Sequence, residues 1–350
     1  MIRIRKNNAR FIAVAKVRQN FETCKICRTF AQFKILISSI VMSAKKIHIR
    51  IVSPSGKVDT RLIDAACQRL GSWGWTVSEG RYARGQYGRF AGTPEERLAD
   101  LKEAMTDPTV DYILCSRGGY GLQQIIDRVA RVVSHRPQLP PVIGFSDITC
   151  LHSLYALTDT VSVHGLMGHI GDWQESCESV QTWREVLEGK EVCYTLPAHP
   201  LQREGEVSGI LIGGNLSVLY GLQGTPWSLK AICRRNERAG QKNILFLEDV
   251  GERHYHIDRM MQNLRLSGVF QAIDGLIIGQ FTDCDDDPLM QQTVQETIAR
   301  ATEGCSFPVM MGFPAGHDDG ENLPFRLNTG TLLQVSKTAT RFFQKGYDNA

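Results

Sequence analysis

Three residues of different chemistry each follow an apolar run that reads as a buried strand. Ser146 comes after Pro141-Val142-Ile143-Gly144-Phe145, Glu248 after Asn243-Ile244-Leu245-Phe246-Leu247, and His317 after Phe307 to Met311 and a glycine-rich turn. Taken singly, each has an ordinary explanation. Ser146 and Asp147 can cap the helix that Ile148 to Leu157 suggests. Glu248, with Asp249 as an equal rival, can cap a turn, and His317 can be a solvated loop residue. Taken together they make a set. A serine hydroxyl is a weak nucleophile at neutral pH and needs an imidazole to accept its proton. The imidazole in turn needs a carboxylate to fix its tautomer and stabilise the imidazolium. In open α/β sheets ligands bind beyond the carboxyl ends of strands, and all three residues are expected there.

A fourth strand end carries Arg117-Gly118-Gly119-Tyr120-Gly121. Its glycines let a backbone N–H approach a reacting centre closely. With the amide of Asp147, an amide of Gly118 or Gly119 would form an oxyanion hole. A phosphate-binding loop is the other reading, but the segment lacks the Lys-Ser/Thr of a P-loop and the spacing of a dinucleotide fingerprint. Arg117 suits bidentate carboxylate recognition or a structural ion pair with Asp147. Asn215, in Gly-Gly-Asn-Leu-Ser, lines the site or holds a turn. Asp258 and Arg259 are expected to brace a helix by ion pairing, and Trp227 and Cys150 to be packed. The acidic run 283–288 lacks the glycine and terminal glutamate of a calcium loop. No metal and no cofactor are expected.

The elements that would position these groups alternate. Strand, helix and turn patterns repeat from residue 46, including a Thr93/Glu96 capping box with Pro94 at the first helical position. Alternation of this kind implies a parallel sheet covered on both faces. The fold class is therefore α/β, with an N-terminal parallel-sheet α/β domain (42–180), a linker (181–205) and a C-terminal mixed α/β domain (206–350). Residues 326–336 look like an edge strand or hairpin. The 350 residues suit about two domains. Ten dispersed cysteines suggest reduced thiols and a cytoplasmic setting. No run approaches the roughly 20 apolar residues of a membrane span. Residues 1–41 hold nine Lys/Arg and one Glu, a net of +8, so within an overall +3 the remainder carries −5. This basic extension is read as preceding a true start at Met42, with targeting or a functional tail as alternatives. Cys24 and Cys27 lack a second ligand pair for zinc.

In order and spacing, the segments Ser-Arg-Gly-Gly-Tyr-Gly, Gly-Phe-Ser-Asp, Gly-Gly-Asn-Leu-Ser, Leu-Glu-Asp-Val-Gly-Glu-Arg and Gly-Phe-Pro-Ala-Gly-His resemble the motif set of the LD-carboxypeptidases, the murein tetrapeptide carboxypeptidases. The resemblance spans about residues 46–335. It implies a metal-independent serine peptidase with Ser146 as nucleophile, Glu248 as orienting acid and His317 as base, at a domain interface. The substrate implied is a small peptide or muropeptide, with terminal D-alanine released during peptidoglycan recycling. Nucleic-acid partners and stable membrane insertion are not implied; a homodimer is. A relative of the microcin C resistance peptidases, which cleave peptidyl- or aminoacyl-nucleotides, and a non-catalytic peptide-binding protein remain the alternatives.

Overall fold

The structure, a computed structural model, describes residues 46–136, 138–318 and 320–347. The basic extension, Met42, Cys24 and Cys27 lie outside the described residues. The first half runs His48–Val52 (β1), Thr60–Ser72 (α1), Thr76–Glu79 (β2), Pro94–Thr106 (α2), Tyr112–Cys115 (β3), Ile126–Ser134 (α3), Val142–Gly144 (β4), Thr149–Tyr155 (α4) and Ser162–His164 (β5). The second runs Glu178–Leu187 (α5), Val192–Pro197 (β6), Gly205–Asn215 (β7), Leu216–Gly221 (α6), Leu229–Arg238 (α7), Asn243–Val250 (β8), His254–Leu266 (α8), Gly275–Thr282 (β9), Val294–Ala301 (α9), Val309–Met310 (β10), Phe325–Leu327 (β11), Gly330–Val335 (β12) and Ala339–Gln344 (β13).

Two mixed sheets result. The first has the order β11-β5-β4-β3-β1-β2 and is parallel except for β11. The second has the order β10-β9-β8-β7-β12-β13-β6, parallel across β10 to β7 and antiparallel beyond. Side chains alternate between faces along each strand. Ile49, Ile51, Tyr112, Leu114 and Ile143 join one core with Leu211, Ile244, Phe246 and Ile277 of the second sheet. Their neighbours Val52, Ile113, Cys115 and Val142 face a separate cluster. On the second sheet, Ile212, Leu245, Leu247, Leu276 and Ile278 pack with α7, α8 and α9. The two sheets thus share a core, which ties one to the other.

Three expectations change. The stretch 181–205 is not an open linker: it holds most of α5, whose Trp183 is fully buried, and the edge strand β6. The alternation of buried Val192 and Tyr194 with exposed Cys193 and Thr195 is what a half-covered edge strand shows. The segment read as an edge strand or hairpin supplies one arm of a hairpin, β12 with β13, but no edge: β12 lies between β7 and β13, and the chain switches sheets after β11 at Asn328, φ 58°. Asp258 and Arg259 do not pair; Asp258 accepts from Gln262 (3.2 Å) and Arg259 lies over the Tyr255 ring. Thr93 and Glu96 do form the expected capping box at the start of α2. Trp227 packs part-buried on the core of the first half, and Cys150 is fully buried. Among the described residues, no helix is long and apolar enough to cross a membrane.

Candidate active site

Ser146 sits at the corner where β4 turns into a short 3-10 turn, Ser146–Ile148, that leads into α4. Its φ is 64°, a left-handed conformation that costs an L-residue roughly 1–2 kcal/mol. Such strain persists only where the surroundings enforce it, and it gathers at functional positions. The surroundings here are dense. A Cβ at Gly118 would stand 2.7 Å from Ser146 Cβ and 3.0 Å from its Oγ, so the glycine loop lies directly against the serine. Only a residue without a side chain permits that approach.

Asp147 points away from solvent. Its Oδ2 accepts from Ser55 Oγ (2.6 Å) and from the Leu122 amide (3.0 Å), joining the loop after β1 to the loop after β3. Burial raises its pKa against the lowering effect of those donors and of Arg97. The backbone of Asp147 remains in the first turn of the helix. Arg117 is exposed and donates to the Lys57 carbonyl (3.0 Å) rather than to Asp147.

The carboxylate and the imidazole come from the second half. Glu248 is fully buried near the end of β8, and its Oε2 lies 2.7 Å from His317 Nδ1. Its other oxygen, Oε1, is buried without a hydrogen-bond partner among the described residues. An unsatisfied buried acceptor costs about 1–3 kcal/mol and needs an explanation, of which a reactive site is one. His317 is held from behind. Its loop is fastened by Asn322, which pairs with Gly316, and by the Gln280 side chain, which accepts from the Asp318 amide (3.2 Å). Burial disfavours protonation of His317. The Glu248 hydrogen bond, with the charges of Glu248 and Asp249, outweighs it, and the pKa stands above the usual 6.5.

The two halves meet at Phe145, the residue before the serine. Its ring contacts the His317 ring edge to face, with centroids 4.8 Å apart. The imidazole is thereby beside the serine corner, with Nδ1 committed to Glu248 and Nε2 left to exchange a proton. Ser146 and His317 are not hydrogen-bonded to each other. In unliganded sites such bonds are often long and tighten only with substrate.

Of the two places expected for Asn215, the structure shows the one that holds a turn. It is buried, caps α6 by accepting from the Val218 amide (3.1 Å), and donates to Asp249 (2.9 Å). Its own amide donates to Thr149 Oγ1 (3.0 Å), at the start of the helix that follows Ser146. A Cβ at the preceding Gly214 would fall 2.5 Å from that same oxygen. Asn215 therefore braces the junction between halves. Sequence reading misses Thr149 and undervalues Asp249. Burial and the adjacent Glu248 charge push Asp249 up to about 7, and it also accepts from Ser217. The neighbouring acidic pair Glu248-Asp249 is the one signal in the sequence that points to it.

Comparison with known proteins agrees with this architecture. Residues 49–165 match the LD-carboxypeptidase N-terminal domain, and residues 208–331 match the LD-carboxypeptidase C-terminal domain. The chain is 30% identical over 282 residues to the murein tetrapeptide carboxypeptidase of Pseudomonas aeruginosa, covering 77% of this chain and 88% of that protein. The chain belongs to the LD-carboxypeptidase family. The crystal structure of a muramoyltetrapeptide carboxypeptidase from Oxalobacter formigenes has the same fold, with a TM-score of 0.74, 24% identity, and coverage of 86% of this chain and 100% of that one. A more distant relative is the microcin C7 self-immunity protein MccF of Escherichia coli, 25% identical over 263 residues, covering 65% of this chain and 72% of that protein. As a member of this peptidase family, the LD-carboxypeptidase-like chain has a carboxypeptidase role and the two-sheet fold that goes with it.

Proposed function

We propose that the protein is a serine LD-carboxypeptidase that releases terminal D-alanine from murein tetrapeptides in the cytoplasm, as part of peptidoglycan recycling. The observation that carries this reading is the 2.7 Å Glu248–His317 pair resting on the Phe145 ring, one residue from a serine held at φ 64°. In the proposed reaction Ser146 Oγ attacks the carbonyl of the L-to-D amide bond as His317 Nε2 takes its proton. Glu248 holds the imidazole through Nδ1 and stabilises the imidazolium. Amides of Asp147 and of Gly118 or Gly119 hold the oxyanion. His317 then protonates the leaving amine, D-alanine departs, and water releases the acyl-enzyme by the same route. Arg117, exposed and bound only to a backbone carbonyl among the described residues, recognises the terminal carboxylate. No metal and no cofactor enter this mechanism, and a homodimer is compatible with it.

A second reading rests on Tyr120. Its ring is 44% exposed in the glycine loop, two residues from Gly118, where it can stack on a base. It favours acyl-nucleotide substrates. Mass spectrometry separates the readings. Wild type and Ser146→Ala are each incubated, with EDTA, with a murein tetrapeptide and with an aminoacyl-adenylate. Loss of alanine by wild type alone supports the carboxypeptidase. Cleavage of the adenylate alone supports the second reading. Turnover of an all-L tetrapeptide at a similar rate overturns the stereochemical assignment. Cleavage of neither by folded protein overturns both readings and leaves a peptide-binding role.

A further inference from the structure

Arg97 lies on α2, outside the proposed reacting groups, yet it is 1% exposed. Its guanidinium is spent on the loops around the serine. Nη1 donates to the carbonyls of Pro54 (2.8 Å) and Gly121 (2.9 Å), Nε to Gly92 (3.1 Å), and Nη2 to Gln124 Oε1 (2.7 Å). It lies 5.0 Å over the Phe90 ring, and none of these contacts is with an acid. Burying a guanidinium without a contacting carboxylate is costly, so four well-formed hydrogen bonds must replace its hydration. Pro54 belongs to the loop after β1 and Gly121 to the glycine loop. One planar fork therefore sets the separation of these two loops. Asp147 ties the same pair of loops a second time, through Ser55 and Leu122. The backbone closes the arrangement: the Gly56 amide donates to the Gly118 carbonyl (3.0 Å).

We infer that Arg97 is a positioning residue for the proposed reaction: it holds the loop of Gly118 and Gly119 at the distance from Ser146 that an oxyanion hole requires. The inference rests on the serine-peptidase reading. Loops of this kind act through placement, and an error of about 1 Å can cost about 100-fold in rate. Lys cannot replace the fork, since a compact ammonium lacks the planar array of donors that spans Pro54, Gly92, Gly121 and Gln124 together.

The test uses the full chain with Arg97→Lys, Arg97→Met and Arg97→Ala. Two rates are read for each: labelling of Ser146 by a fluorophosphonate, which needs the oxyanion hole but no peptide substrate, and kcat and KM for the tetrapeptide. Folded fraction is followed by thermal melting. The expected result is that Arg97→Met loses about 100-fold in both labelling rate and kcat, with KM altered far less. Arg97→Lys falls between it and wild type. Millimolar guanidinium restores at least part of the activity of Arg97→Ala and leaves wild type unchanged. If Arg97→Ala fails to fold, the kcat and KM of Arg97→Lys, assayed below its melting temperature, decide the matter alone. A labelled wild type together with unaltered labelling in Arg97→Met overturns the inference, as does activity that falls only in proportion to the folded fraction. An unlabelled wild type removes the serine-peptidase reading itself, and this inference with it.

Discussion

Substituting Gly118 by alanine tests the contact on which the proposed oxyanion hole depends. The added methyl would stand 2.7 Å from Ser146 Cβ, 3.0 Å from Oγ and 3.2 Å from the Phe145 carbonyl oxygen. Ordinary van der Waals contact begins at 3.4 Å, so serine and glycine loop must separate by about 0.7 Å. The corner cannot easily yield, because Asp147 is fastened to Ser55 and Leu122 and Phe145 is wedged against His317. A displacement of this size moves amide donors away from the oxyanion, and one lost donor is worth about 100- to 1000-fold in kcat. Overpacking costs about 1–3 kcal/mol of stability. Gly119→Ala is the control. Its φ of 100° makes alanine strained there, but the nearest atom to the new methyl is Gly56 Cα at 3.8 Å. Gly118→Ala should therefore lose far more activity per unit of stability than Gly119→Ala, read as kcat and fluorophosphonate labelling beside urea denaturation. Full activity in a folded Gly118→Ala protein would refute the placement of this loop against the serine.

Ser146→Gly should be inactive yet more stable than wild type by about 1 kcal/mol in urea denaturation, because glycine adopts φ 64° without penalty. Ser146→Ala, inactive without that relief, should match wild type. Glu248→Gln should lower kcat by roughly 10³- to 10⁴-fold by presenting the wrong tautomer partner to His317 Nδ1. The base is active only when neutral, so wild-type kcat/KM should fall as pH drops through a His317 pKa above 6.5. Without the Glu248 charge, burial dominates and that limb should move to lower pH; an unmoved limb would mean that another group titrates. Thr149→Val should cost about 1–3 kcal/mol in the denaturant midpoint by orphaning the buried Asn215 amide, with kcat little changed.

What is legible in the sequence follows from local pattern. Apolar runs locate the parallel strands, and Thr93 with Glu96 announces the start of α2. The same threonine-to-glutamate spacing at Thr293 and Glu296 forms a second capping box, which periodicity alone covers without marking its boundary. Strand ends can be recognised because buried strands must stop at turns: Ser146 follows β4 closely, while Glu248 still lies inside the last residues of β8 and His317 stands in the loop beyond β10. Partner choice is not legible. Residues 325–335 alternate uniformly, yet β11 pairs with β5 of the first sheet and β12 with β7 of the second. Nothing in that stretch specifies a partner some 160 residues upstream for one strand and about 120 for the other. Asn215 is ambiguous for a related reason. An asparagine after two glycines suits a cap and a ligand equally, and only the Asp249 and Thr149 contacts decide its place.

Arg97 shows how a brace can be seen in part. On α2 it shares the inward face with Leu101, Ala104 and Met105, at spacings of four, seven and eight residues. A charge on a core-facing stripe is rare unless it is paired, so the position is itself a signal. The sequence does not reveal what satisfies it, because three of its four hydrogen bonds go to the backbone carbonyls of Pro54, Gly92 and Gly121, which carry no side-chain signature, and only one to a side chain, Gln124. Asp100, on the same face, repeats the device by accepting from the Tyr82 amide (2.9 Å). The reacting groups of a site are thus written in residue types, while their spacing is set by buried polar side chains that bind main chain. A charged residue on an apolar helix stripe is therefore the mark such a brace leaves in a sequence. On this chain the mark falls on Arg97 and Asp100 of α2: Arg97 holds the two loops beside the Ser146 corner, and Asp100 holds the loop between β2 and α2.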